Sequence, residues 1–202
     1  MRTAVPGALL SVAGILISLQ SVQGWSAPSF CRGYECPEYR LVHANENFEE
    51  RFYNASDWIT TEIEGTDFWT VRGGYNKLCD YLDGENEANQ EIPMTRPIAI
   101  TVLEPSSGED RSITISVYVP PGTDLPKPTD SSITEFSLPA GIMFVRTFTG
   151  MPTESNFFDN LEALENDLKS AGKQYNPLRR IAAGYDGPLT LFKHNEVWLQ
   201  GA

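Results

Sequence analysis

The 202-residue sequence has few of the side chains and motifs that most enzymes use for catalysis. It contains two histidines and three cysteines, and it lacks the glycine-rich nucleotide loops, zinc-protease helices and G-x-S-x-G elbows of common catalytic sites. No pair of carboxylates stands out among its 27 acidic residues, so these are expected to be mostly solvated. We therefore expect no catalytic residues, no metal site and no enzymatic activity.

Positive charge is also scarce in this chain. Fifteen Lys and Arg residues against 27 Asp and Glu residues give a net charge of −12. An acidic surface repels phosphate backbones and anionic lipids. Nucleic acid and anionic membranes are therefore not expected partners.

Long apolar runs are limited to a single one near the N-terminus, from Ala8 to Leu19. It follows Arg2 and precedes small and polar residues that end at Gly24. A bilayer needs about 20 apolar residues, so this run is too short for a membrane span. The pattern predicts a secretory signal peptide over residues 1–24 rather than an uncleaved anchor. The mature protein is then secreted and extracellular, with no membrane insertion after cleavage.

Secretion would place the three cysteines, Cys31, Cys36 and Cys79, in an oxidising compartment. One disulfide and one free thiol are then expected, and the sequence leaves the pairing open. A zinc site built from the cysteines and His43 is the alternative, but its spacing matches no usual zinc finger. Asn54 begins the only N-glycosylation sequon and would be available for a glycan in the secretory route.

The mature chain repeats one pattern twice. An offset of 85 residues superposes Glu50 on Glu135 and Gly65 on Gly150, together with neighbouring apolar positions. Each half has the pattern of a strand, a helix and two strands, which favours an α+β fold with an antiparallel sheet and two helices. Two such units are expected to share one core and to form a ligand cavity at the seam between them.

The repeat divides the chain into segments. An irregular arm, residues 25–36, precedes one domain at residues 37–202. Within that domain the pseudo-repeats are 37–120 and 133–202, joined by a Pro-rich surface connector.

Each half contains one amphipathic helix pattern. Asp67 is placed to cap the first helix and Gly84 to end it, while Thr153 and Gly172 do the same for the second. Gly73-Gly74 inside the first helix predicts a close approach by a strand or a ligand. The apolar positions recur at three- and four-residue spacing, at Phe68, Val71, Tyr75, Leu78 and Leu82 and then at Phe157, Leu161, Leu164 and Leu168.

Three hairpins are expected from the strand-like runs. The sequence pairs residues 39–43 with 48–53 and residues 97–103 with 113–119. The final hairpin is expected to join Leu189–Phe192 to Val197–Leu199 through Lys193-His194-Asn195.

Six segments, in this order, resemble the SOUL heme-binding protein family. They are Phe48–Tyr53, the Gly84–Glu87 turn, Ile92–Pro97, Ile113–Pro120, Ala183–Pro188 and Asn195–Leu199. The resemblance covers essentially the whole mature chain. It implies a distorted antiparallel β-barrel flanked by two helices. It also implies non-covalent binding of heme or another tetrapyrrole in a largely hydrophobic groove, without enzymatic chemistry.

The chain departs from the family at one position. Members proposed to ligate heme iron have a histidine directly after the first core strand motif, and here that position is Phe52. Coordination by histidine at this position is excluded. The resemblance then favours a ligand held by apolar contacts, as in other members that lack the histidine.

By resemblance, the first helix forms part of the groove wall and places Arg72, Tyr75, Leu78 and Cys79 near the ligand. Arg72 would pair with a propionate, although an ordinary surface charge is an equally good interpretation.

Two histidines, His43 and His194, could supply an imidazole to iron. Their positions near turns favour solvated loop residues. Met94 and Tyr75 are substitute iron ligands that more often fill cores. Further cations are Arg96 and the adjacent pair Arg179 and Arg180, for which a solvated surface pair is the simpler interpretation.

These observations predict a secreted carrier or scavenger of heme or another tetrapyrrole. The alternatives are a secreted interaction or signalling protein that uses the same scaffold without a cofactor, and a carrier of another planar apolar ligand. In the first alternative, the stripe from Leu161 to Leu168 would dock onto a protein partner.

Overall fold

The computed structural model describes residues 25–106, 110–187 and 189–202. The predicted signal peptide lies outside the described residues. The described chain forms a short 3-10 helix, Ser29–Cys31, two α-helices and nine strands. The helices are α1 (Phe68–Leu82) and α2 (Glu154–Ser170). The strands are β1 (Tyr39–Ala44), β2 (Glu49–Tyr53), β3 (Ser56–Glu62), β4 (Ile98–Leu103), β5 (Ser112–Val119), β6 (Ile133–Leu138), β7 (Gly141–Thr149), β8 (Tyr175–Gly184) and β9 (His194–Gly201). No helix in these ranges is long and apolar enough to cross a membrane.

The strands form one antiparallel sheet in the order β1-β2-β7-β9-β8-β4-β5-β3-β6. This sheet curls into a distorted, half-open barrel, and the helices flank it. The predicted α+β barrel is therefore confirmed.

The strand order shows how the duplicated unit is used. One unit contributes β2, β3, α1, β4 and β5, and the other contributes β6, β7, α2, β8 and β9. Without β1 the sheet order is symmetric under exchange of the units, with β4 paired to β8 at the centre. Each unit places its first strand against the other unit, because β2 pairs with β7 and β6 pairs with β3. Neither unit has a complete sheet alone, which explains why the two share one core.

Both helices begin at the predicted caps. The Asp67 carboxylate accepts hydrogen bonds from the backbone N–H groups of Trp69 and Thr70. The Thr153 hydroxyl accepts one from the N–H of Asn156. Each bond satisfies a donor that the first helical turn leaves without a backbone partner.

Helix α1 lies on β3 and β5, and Gly74 is its point of closest approach. A Cβ atom at Gly74 would lie 2.5 Å from Cγ2 of Ile63 and 2.6 Å from Cγ2 of Ile115. At Gly73 the same atom would meet nothing within 4 Å. The predicted close approach is therefore made by the sheet, and it occurs at Gly74.

Helix α2 lies on β7 and β9 and uses its leucine stripe for that contact. Leu161, Leu164 and Leu168 are buried in a cluster with Phe144 and Leu199. The stripe is core, so docking of a partner onto it would require the helix to leave the sheet.

The first two predicted hairpins are present as β1–β2 and β4–β5, but the predicted final hairpin is wrong. Strand β9 pairs with β7 on one side and with β8 on the other, so no free edge is left for Leu189–Phe192. Residues 185–187 and 189–193 instead lie in the β8–β9 loop. Leu189, Leu191 and Phe192 are 94%, 88% and 82% exposed. Alternating apolar residues are typical of strands, but here the sheet has no position for them.

Candidate ligand-binding surface

The barrel interior at the seam between the two units is almost filled. Trp58, Trp198 and Ile181 are buried there and, with side chains from β4, β5 and β6, line a cavity of only about 10 Å³. Sites for drug-sized ligands usually enclose about 300–1,000 Å³. In the described part of the chain, the cavity at the seam is therefore far smaller than the expected ligand cavity, because bulky aromatic side chains occupy that space.

The N-terminal arm contains a disulfide that packs into the barrel interior. Cys31 and Cys36 are bonded, with their Cα atoms 6.3 Å apart, and both side chains are buried in the interior cluster. Cys79 is free. This resolves the pairing that the sequence left open, and it removes the two thiolates that a zinc site would need.

Beside the arm lies a buried ion pair between Arg51 and Glu196. The Nη1 and Nη2 atoms of Arg51 donate to Oε2 and Oε1 of Glu196 at 3.2 and 3.0 Å. Oε2 also accepts from the Tyr185 hydroxyl at 3.0 Å and from Nε1 of Trp198 at 2.7 Å. Burial alone would raise the pKa of Glu196, but its hydrogen bonds and the positive charge of Arg51 lower that pKa to about 2. The Glu196 carboxylate is therefore ionised, and both of its oxygens accept hydrogen bonds.

His194 belongs to the same cluster, so its prediction as a solvated loop residue was wrong. Its ring stacks on Phe30 with a centroid distance of 4.1 Å, and its Nε2 lies 2.7 Å from Oε1 of Glu196. The stacked ring and the engaged Nε2 make His194 a poor ligand for heme iron.

His43 is exposed on β1, the edge strand, where it pairs with Glu50 of β2. Helix α1 packs on β3 and β5, near the opposite edge of the sheet. The structure therefore does not bring His43 together with the other predicted ligand-binding residues.

The four predicted residues of α1 have different environments. Arg72 is exposed, Tyr75 and Cys79 are half-buried, and Leu78 is completely buried against the sheet. The prediction that Leu78 contacts a ligand stays a prediction, and in this structure the side chain anchors the helix to the sheet. Burial raises the pKa of the Tyr75 hydroxyl and of the Cys79 thiol, and the positive charge of Arg96 opposes both increases. Both groups stay neutral at physiological pH.

The segment before β4 places Met94 and Arg96 next to these residues. Met94 packs against the α1 cluster. Arg96 is 8% exposed; its Nε donates to the carbonyl of Tyr185 at 3.1 Å and its Nη1 to the carbonyl of Thr95 at 3.0 Å. Its guanidinium carbon lies 4.5 Å from the ring centroid of Tyr34. Among the described residues, no carboxylate forms an ion pair with it.

Arg96 also connects the segment before β4 to the β8–β9 loop, which begins at Tyr185. The arm holds this loop in place, since Arg32 donates from Nε to Asp186 at 2.9 Å and from Nη2 to the carbonyl of Phe192 at 3.2 Å. We call this region the α1–loop surface. It comprises Arg72, Tyr75, Cys79, Met94 and Arg96 with the exposed loop residues Leu189, Leu191 and Phe192.

The sequence suggested Arg96 only as one of several cations. Its sequence neighbours Thr95 and Pro97 are both buried. An arginine between buried positions in an apolar segment is a signal that could have distinguished it from solvated cations.

Phe52, which occupies the family's histidine position, lies in a different region. The guanidinium of Arg40 lies 5.7 Å from its ring centroid, and both line an open groove of about 290 Å³ with Glu38, Tyr39 and Asn54. Asn54 is exposed. This groove shares no residue with the α1–loop surface.

The other two cations do not form a solvated pair. Arg179 stacks on Phe136 at 5.3 Å, and burial lowers the pKa of its guanidinium. Arg180 lies between Glu104 and Glu165 at 3.4 Å from each carboxylate. Adjacent strand residues point to opposite faces, which separates the two charges.

Comparison with known proteins supports this assignment of the fold. Heme-binding protein 2 from Homo sapiens is 33% identical over 159 residues, covering 76% of this chain and 77% of that protein. Heme-binding protein 1 from Xenopus laevis is 27% identical over 180 residues, covering 84% and 94%. The EcmrR C-terminal domain superposes with a TM-score of 0.54 at 11% identity, covering 81% and 98%, which shows a shared fold alone. The family model described as SOUL heme-binding protein matches residues 34–200, so the chain belongs to the SOUL heme-binding protein family.

Proposed function

We propose that the protein is a secreted carrier or scavenger that binds heme or another tetrapyrrole, without catalysis, on the α1–loop surface. Its family and its relatives from Homo sapiens and Xenopus laevis are described by heme binding rather than by an enzymatic reaction. Tetrapyrrole binding is therefore the activity that the family relationship supports best.

The exposed β8–β9 loop is the observation that carries the location of this site. Leu189, Leu191 and Phe192 are almost fully exposed, and burying a side chain of this size stabilises a complex by about 1.5–3 kcal/mol. The barrel interior, with about 10 Å³ of space, cannot accept a tetrapyrrole. A planar apolar ligand between this loop and α1 would cover exposed apolar groups without opening the barrel.

The chemistry of the surface favours retention of the ligand by apolar contacts. Tyr75 and Cys79 have raised pKa values, so the phenolate and thiolate forms that bind iron strongly are disfavoured. The Met94 thioether can bind iron without losing a proton. We therefore propose Met94, rather than either histidine, as the side chain best suited to contact the iron.

Titration of the purified, leader-free protein with hemin tests this function. We expect a saturable Soret change in the wild type. A Leu191→Ser, Phe192→Ser double variant should bind at least about tenfold more weakly, because each lost apolar side chain removes over about 1.4 kcal/mol of favourable binding free energy. His43→Ala should bind like the wild type. His194→Ala should change stability more than the Soret band, because His194 contacts Glu196 and Phe30.

Two other functions remain as outcomes of the same titration. Absence of saturable binding would favour a cofactor-free interaction protein, for which the exposed loop is the available apolar surface and the buried α2 stripe is not. Displacement of hemin by a different planar compound that binds more tightly would favour a carrier of that ligand.

Secretion and glycosylation are tested together by expressing the full chain in eukaryotic cells. We expect protein in the medium that begins at Trp25, as the predicted leader requires. A glycosidase that removes N-linked sugars should increase its gel mobility, and Asn54→Gln should abolish that change. Intracellular protein that retains residues 1–24 would contradict both proposals.

A further inference from the structure

We infer that Arg96 is a recognition residue for a carboxylate of the ligand bound on the α1–loop surface. This inference rests on the proposed function and assigns to Arg96, rather than Arg72, the role of pairing with an acidic substituent of the tetrapyrrole.

The guanidinium of Arg96 is largely buried and forms no ion pair within the part of the chain that the structure describes. Two backbone carbonyls and the ring of Tyr34 satisfy part of the guanidinium. Carbonyl dipoles do not cancel a full charge, and a buried cation without a counter-ion is costly. A bound anion would supply the missing partner.

One nitrogen of this guanidinium is available for such a contact. Within the described ranges, Nη2 of Arg96 forms no hydrogen bond and is accessible to solvent. Its two N–H groups can donate to a carboxylate in the planar geometry that arginine favours.

The electrostatic effect of Arg96 extends to the residues that would contact the ligand. Its positive charge acts on Tyr75 and Cys79, the two half-buried polar residues of α1. Met94, two residues earlier in the chain, adds an apolar contact to the same region. The surface therefore combines partly buried, uncharged side chains with a cation held in place by hydrogen bonds, which suits a largely apolar molecule carrying a carboxylate.

The test compares two metal-free porphyrins that differ only in their acidic groups. Protoporphyrin IX and its dimethyl ester are titrated against wild type, Arg96→Gln and the control Arg111→Gln, an exposed arginine outside the α1–loop surface, with tryptophan quenching as readout. We expect Arg96→Gln to weaken binding of the diacid about ten- to hundredfold and to leave binding of the diester unchanged, since only the diacid forms a charge-assisted hydrogen bond. Arg111→Gln should bind both porphyrins within about twofold of wild type.

The wild-type protein alone keeps the inference testable if Arg96→Gln does not fold, because the diacid should then bind about tenfold or more tightly than the diester. Equal wild-type affinity for both porphyrins, or an equal loss for both in Arg96→Gln, overturns carboxylate recognition. Failure of hemin and both porphyrins to saturate the wild type overturns the proposed function itself, which is a distinguishable result.

Discussion

Two buried arginines in this protein have opposite surroundings. Arg51 is 1% exposed, and the Glu196 carboxylate contacts both of its terminal nitrogens. Its guanidinium carbon lies 4.4 Å from the ring centroid of Tyr39. Arg96, 8% exposed, has two backbone carbonyls and one aromatic ring but no carboxylate among the described residues. The first is neutralised within the fold, whereas the second retains a charge that the fold does not use.

The difference separates a structural cluster from the ligand site that we propose. The Arg51 cluster lies in the filled interior, behind the disulfide-bonded arm, where each oxygen of Glu196 has at least two partners. Arg96 contacts the arm at Tyr34 and the start of the β8–β9 loop at Tyr185, and this loop carries the exposed residues Leu189, Leu191 and Phe192. Buried charge alone therefore does not identify function, whereas a buried charge without a carboxylate partner among the described residues marks a candidate site.

Replacing Arg51 by Met should have the largest effect on stability. It leaves Glu196 buried without the guanidinium that contacts both of its oxygens, which costs about 3–5 kcal/mol of unfolding free energy. Arg96→Met should cost less, about 1–2 kcal/mol, because it removes only hydrogen bonds to carbonyls and one ring contact. Urea denaturation measures both values. Equal losses in the two variants would mean that the two arginines are not energetically distinct.

Acid should destabilise the protein through the same cluster. Glu196 has its pKa lowered from 4.5 to about 2, and a lowered carboxylate pKa stabilises the fold when the group is ionised. The contribution, about 3 kcal/mol, is fully present above about pH 4.5 and is lost as the pH falls towards 2. Urea midpoints across this window should show the loss, and Glu196→Gln should make the pH slope shallower. An unchanged slope in that variant would assign acid sensitivity to other groups.

Removing the Cys31–Cys36 disulfide should moderately weaken the aromatic contacts that the arm makes with Arg51 and Arg96. The Cys31–Cys36 bond spans a sequence separation of 5, and closing so short a loop stabilises the fold by about 2 kcal/mol. The arm also places Phe30 5.7 Å from the guanidinium of Arg51 and Tyr34 beside Arg96. A Cys31→Ser, Cys36→Ser double variant should therefore lose both stability and porphyrin affinity. If the double variant loses the expected stability, about 2 kcal/mol, but binds porphyrin like the wild type, the arm does not contribute to the ligand site.

Local chemistry made much of the fold predictable. Asp67 and Thr153 cap their helices because short polar side chains reach the first free N–H groups. Gly74 marks the helix–sheet contact because no side chain fits there. Leu189–Phe192 was misassigned because an alternating pattern does not reveal whether a sheet edge is free.

The site was less predictable because it depends on contacts between distant segments. His194 and Glu196 look like loop and strand-surface residues until Phe30 and Arg51 are placed beside them. The neighbours of Arg96 indicate that it is buried, but its lack of a carboxylate partner among the described residues becomes visible only in the structure. Periodicity identifies the face of α1 that is buried, and so Leu78 could have been assigned to the core on that ground.

Alanine substitutions at the adjacent residues Gly73 and Gly74 should have the smallest effects and give the most selective test of the comparison between Arg51 and Arg96. Gly74→Ala should cost about 1–3 kcal/mol, because its methyl group would lie 2.5 Å from Ile63 and 2.6 Å from Ile115 and would push α1 away from the sheet. Tyr75 and Cys79 move with α1, so porphyrin binding should weaken, while the acid sensitivity set by Glu196 should persist.

Gly73→Ala is the matched control. Its methyl group meets nothing within 4 Å, and alanine, the better helix former, should stabilise the fold by up to about 1 kcal/mol. Urea denaturation and protoporphyrin IX titration of both variants measure these effects. If Gly74→Ala lowers stability but binds the porphyrin like the wild type, the position of α1 does not determine the ligand site, and the surface around Arg96 must be sought on the loop and arm alone.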